Sequence, residues 1–114
     1  MLTNPRSVRW IALLRENLAT SQLVLTCSKD DFATSPTLQL AGEALAMRVG
    51  DLAKKIMVHE PQLSGRELWQ SAARTRDFLA HHYHQLDTDI LWETVTISFA
   101  KLTTELDSLT GDER

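Results

Sequence analysis

The stretch RTRDFLAHHYHQLD, residues 74–87, gathers two arginines, three histidines and a tyrosine within a few helical turns. Arginine takes carboxylates and phosphates through a planar fork of N–H donors, and histidine moves protons near neutral pH. Asp77, His81 and His84 stand at i, i+4 and i+7. That spacing places them near one helix face, where an aspartate and two histidines can ligate a divalent metal. A solvated face is the plainer reading of the same spacing. In a third reading Asp77 accepts a hydrogen bond from His81, orienting the ring and favouring its protonated form.

A second row, Trp69, Ala73, Arg76, Ala80 and Tyr83, also steps by four and three and so shares a face. It reads either as a wide core face with Arg76 snorkelling at its edge, or as a subunit interface. In the second reading the small alanines admit another helix and a buried Arg76 needs an anionic partner. Arg76 and His81 lie five residues apart, about 140° around an ideal helix. To grip one small ligand, the helix must bend near Ala80–His81, or the two groups must come from two copies of the chain.

The elements that carry these residues are helical. Asn4-Pro5 opens a first helix, with Asn as N-cap and Pro in the first turn. Val8, Ile11, Leu14, Leu18 and Leu25 form its apolar stripe. CSKDDFATSP interrupts the pattern, and Ser35-Pro36 opens a second helix with Ala41, Leu45, Val49, Leu52 and Ile56 facing inward. Pro61 closes it. Ser64 with Glu67 reads as a capping box for a third helix, whose core row is Leu68, Ala72, Thr75 and Leu79. Asp87 or Thr88 caps the last helix, with Leu91, Val95, Phe99, Leu102, Leu106 and Leu109 inward and Gly111 as its stop. Four amphipathic segments with short links predict an all-α, antiparallel up-down four-helix bundle, with room for an extra short helix, as a single domain over residues 1–114.

Composition narrows the function. The chain has 114 residues, a net charge of −3, four glycines and three prolines. Cys27 is the sole cysteine, which excludes an internal disulfide and a cysteine-based zinc site and fits the reducing cytoplasm. Arg6, Arg9 and Arg15 break up the apolar residues of the start, and no stretch approaches a membrane span, so the expectation is a soluble, non-exported protein. Residues 1–76 hold ten Lys/Arg against seven Asp/Glu, while residues 77–114 hold two against eight. Such a chain is poorly suited to coating duplex nucleic acid with a broad basic surface, but a local arginine cluster can still bind RNA or a nucleotide.

Arg76-Asp77-x-x-x-His81-x-Tyr83 resembles the Arg-polar-x-x-x-His-x-Tyr signature of the HepT-like proteins, a branch of the HEPN superfamily. Trp69, seven before Arg76, Asp87, and Leu91-Trp92 fall in the same register, and Val49-Gly50-Asp51 resembles the Ile-Gly-Glu segment of that family's preceding helix. Asp77 stands where Asn is commoner. Its charge would repel phosphate and raise the basicity of His81. The resemblance implies the toxin of a type VII-like toxin–antitoxin pair, a homodimer with a composite, metal-independent RNA-cleaving site and no cofactor. Arg76 would hold the scissile phosphate and His81 would serve as acid or base, with Asp77 supporting them. Tyr83 would be the residue AMPylated by a cognate minimal nucleotidyltransferase antitoxin, MntA. His82 and His84 read as solvated helix-end residues, and Arg74 lacks the polar follower. The alternative is a non-catalytic helical adaptor that binds a nucleotidyltransferase or a nucleotide.

Overall fold

The structure, a computed structural model, describes residues 4–24 and 26–110, and these are almost entirely helical. Leu25 and Gly111, expected in the first stripe and as the last stop, lie outside them. The long helices are α1 (Pro5–Val24), α3 (Pro36–His59), α4 (Glu67–His82) and a rod made of α5 (Thr88–Glu93), a π-helical turn (Thr94–Ser98) and α6 (Phe99–Thr110). The stretch expected only to interrupt the pattern contains a short helix, α2 (Lys29–Thr34). Ser28 caps it by accepting from the Asp31 amide at 3.1 Å. Phe32, fully buried, leans on Trp92 with ring centroids 5.3 Å apart, which makes α2 part of the core.

The start signals act as the sequence predicts. The Asn4 side chain accepts from the Arg6 amide, Ser35 from the Leu38 amide, and Asp87 from the Asp89 amide. Each satisfies a helix N–H that has no partner within the helix. The capping box at Ser64 does not form. The fully buried Leu63 draws residues 61–63 into a 3₁₀ turn, and the Ser64 hydroxyl donates to the Pro61 carbonyl at 2.6 Å. Helix α4 therefore starts at Glu67 after an Arg66 N-cap whose side chain makes no cap bond.

Antiparallel packing follows from what meets at each end. Glu60, just past α3, meets the start of α1, and Arg66, before α4, pairs with Glu105 late in α6. Trp10 of α1 meets the ring of His59 edge-on at 4.6 Å, tying the same ends together. The core holds Ile11, Leu14 and Leu18 of α1, Leu45, Val49, Leu52 and Ile56 of α3, Ala72 and Leu79 of α4, and all six inward residues of the final rod, while Ala41 of the expected α3 row is only partly buried. The rod is not uniformly α-helical. Its Thr-Val-Thr-Ile run is β-branched, and the Thr94 and Thr96 hydroxyls donate to carbonyls four residues back, where the helix widens into the π turn.

Helix α1 buries Ile11, Leu14 and Leu18 as expected and differs at its first inward position. Val8 is 70% exposed, whereas Ser7 is fully buried. The cause is Glu60, a fully buried acid whose Oε2 accepts from the Asn4 amide and the Ser7 hydroxyl, both at 2.8 Å, while Oε1 accepts from Gln62 at 2.9 Å. A buried carboxylate needs such donors, and the start of a helix supplies them together with a favourable dipole. The Glu60→Ala variant leaves the Ser7 hydroxyl and Asn4 amide without their acceptor, and should lose roughly 2–4 kcal/mol in a urea unfolding titration.

Candidate active site

The site begins with a close helix crossing. A methyl group added at Gly50 would lie 2.3 Å from the Arg76 β-carbon and 2.5 Å from the Ala72 carbonyl oxygen. Only a glycine lets α4 come this near to α3. The crossing lays the Arg76 side chain, 30% exposed, along α3 beside Asp51, with Nε 3.8 Å from an Asp51 oxygen. Met47, Arg48, Asp51 and Arg76 line a small cavity of about 190 Å³ there.

Asp77, the next residue, closes a network across both helices. Its Oδ1 accepts from Lys54 Nζ at 2.7 Å and from an Arg76 terminal nitrogen at 3.3 Å. Lys55, one turn along α3, sits 3.7 Å from Asp51. Among the residues joined by these ion pairs, three cations (Lys54, Lys55, Arg76) face two carboxylates (Asp51, Asp77), and Arg48 adds a further cation at the cavity, on a chain whose net charge is −3. Lys54 above all, with Arg76 adding to it, holds the Asp77 carboxyl below its ordinary 3.8. Asp77 is therefore charged throughout the neutral range. The bridges are present above the ordinary value and are lost as pH falls through the lowered one.

This geometry separates the readings left open above. Asp77 gives its carboxylate to Lys54 and Arg76, not to His81. Among the described residues no cluster of three or more His, Cys, Asp or Glu side chains forms, so Asp77, His81 and His84 do not converge. The second row of α4 divides. Trp69 is fully buried in the core, Arg76 lies half-buried at its edge, and Ala80 and Tyr83 are exposed. The helix does break near the histidines, but at His82 (φ −140°, ψ 31°), after which Tyr83–Gln85 form a 3₁₀ turn. The break falls beyond His81, so within one chain it leaves the angle between Arg76 and His81 unchanged.

His81 is exposed at the end of α4. Tyr83, 64% exposed in the turn that follows, meets the His84 ring edge-on at 5.8 Å. His82 packs on Phe78 with ring centroids 5.4 Å apart. Arg74 pairs with Glu67 at the surface and lines a cavity with Lys54, but makes no ion pair with Asp51 or Asp77 among the described residues. Lys54 and Asp51 are the residues that sequence reasoning did not place beside Arg76. A glycine in mid-helix signals a close neighbour, and Asp51 and Lys54, one and four residues after Gly50, flank that contact.

An all-helical bundle in which an arginine, backed by a glycine crossing and a polar follower, precedes an exposed histidine and tyrosine on one helix defines a small class of proteins. The family described as "Ribonuclease HepT-like" matches residues 14–109, and the chain belongs to it. Searches of curated proteins and of solved structures returned no match.

Gly50→Ala should separate α3 from α4 and dislodge Arg76, costing roughly 1–3 kcal/mol, the usual worth of overpacking. Thermal unfolding would measure the loss, and a fall in the Asp77–Lys54 coupling seen by NMR would locate it.

Proposed function

We propose that this chain is an endoribonuclease toxin that works as a homodimer. Support comes from its family and above all from Arg76, a half-buried cation held in a network of surplus positive charge. Arg76 takes the scissile phosphate and stabilises charge developing on its oxygens. The RNA 2′-hydroxyl attacks the adjacent phosphorus while a histidine accepts its proton. The 5′-oxygen leaves with a proton from an acid, giving a 2′,3′-cyclic phosphate. The nucleophile lies within the substrate, so the chemistry asks for no metal and no cofactor.

A homodimer suits this reaction because Arg76 and His81 point about 140° apart on one straight helix, and two copies bring two imidazoles to one cleft. One then serves as base and the other as acid. The exposed Ala80 and small Ala73 on the row of Arg76 suit a second helix there. The cognate partner is a minimal nucleotidyltransferase antitoxin, which silences the toxin by AMPylating Tyr83. The exposed Tyr83 hydroxyl is accessible to such an enzyme, and an AMP group on it adds an anion beside the phosphate site.

His81→Ala should lower RNA cleavage by roughly 10²–10⁴-fold, with unfolding midpoint unchanged because His81 is exposed. An equal rate in the folded variant would refute the role of His81, whereas a wild-type chain that cleaves no RNA would favour the non-catalytic adaptor. On co-expression with the nucleotidyltransferase, intact-mass analysis should show AMP-sized adducts that Tyr83→Phe abolishes; a neutralised toxin without them refutes the modification.

A further inference from the structure

One oxygen of Asp77 is shared by cations from two helices, and the two do not share it equally. Lys54 Nζ lies 2.7 Å away and the Arg76 terminal nitrogen 3.3 Å. The shorter contact is the stronger, so Lys54 is the principal partner. Arg76 keeps donor capacity in reserve. Of the five N–H donors a guanidinium carries, only the long bond to Asp77 is used among the described residues. Its Nε is buried without a hydrogen-bond acceptor, since Asp51 stands off at 3.8 Å. An arginine pinned by two close carboxylates would have little left for a phosphodiester; this one is half-engaged.

We infer that Lys54 is a positioning residue of the phosphate site. By holding the Asp77 carboxylate toward α3, it keeps that charge from closing on Arg76 and leaves the guanidinium able to take an RNA phosphate. The inference rests on the ribonuclease reading above. It also accounts for the acid at position 77. Asp77 is an internal competitor of the substrate phosphate, and Lys54 restrains it. Removing Lys54 frees Asp77 to engage Arg76 fully. Removing the Asp77 charge makes Lys54 dispensable.

The test is a double-mutant cycle on the full chain with Lys54→Gln, Asp77→Asn and both together, and with Lys54→Arg as the conservative control. Both side chains are on the surface, so all four variants should fold. Affinity is read on a mixed-sequence 2′-O-methyl oligonucleotide, which lacks the nucleophile, and rate on total cellular RNA. Lys54→Gln should weaken binding about fivefold, equivalent to about 1 kcal/mol, through KM with kcat nearly unchanged. Lys54→Arg should bind like the wild type. In the double variant the Lys54 effect should vanish, leaving the affinity of Asp77→Asn alone. NMR titration should show the Asp77 carboxyl rising in Lys54→Gln.

If Lys54→Gln weakens binding equally with and without Asp77, Lys54 touches RNA directly and the restraining role is wrong. An Asp77 titration indifferent to Lys54, or a Lys54→Gln protein that binds like the wild type, overturns it as well. A wild-type chain that neither binds nor cleaves RNA overturns the ribonuclease reading itself, with the phosphate role of Lys54.

Discussion

Gly50 is the contact on which the rest of the site depends. Its missing β-carbon lets the Ala72 carbonyl and the Arg76 stem lie against α3 where any side chain would collide. Close packing of this kind holds Val49, Ala53 and Ala72 in the core, and interiors at crystal-like density do not tolerate an added methyl without shifting. Because α4 is pressed to α3 at this level, Arg76 reaches Asp51 and Lys54 reaches Asp77. Chemistry on one helix is thus built by its neighbour.

The electrostatics follow from that approach. Taken as a whole the chain is acidic, which argues against non-specific attraction to nucleic acid. Within the crossing the balance reverses, with three cations against two carboxylates. At physiological salt, charges act over about 8 Å, so the local surplus matters more at this crossing than the net charge of the whole chain. The pairs are at the surface, where each is worth little to folding. Their main consequence is how much of the Arg76 charge remains available.

Much of the scaffold was legible because local chemistry and burial agreed. Asn4, Ser35 and Asp87 announce helix starts through side-chain oxygens that the backbone needs there, whatever the fold. The inward rows of α3 and the final rod are regular enough that periodicity finds every buried leucine in them. Where a distant residue intervened, local reading failed. Ser64 looked like a cap until Leu63 was drawn into the core. Spacing alone could not choose between core and interface for the row of Trp69, and the fold puts Trp69 in the interior.

The sequence by itself determined the helical class, the helix starts marked by Asn4, Ser35 and Asp87, and membership of the HepT-like family, whose model matches residues 14–109. These are properties of residue type and spacing along one chain. Only the tertiary structure decided that Ser7 turns inward to Glu60 while Val8 turns out, and that Asp77 belongs to Lys54 rather than to His81. The physical reason is the same in both cases. A carboxylate takes whichever donor the fold brings within about 3 Å, and here those donors come from residues 53 and 23 positions away in sequence.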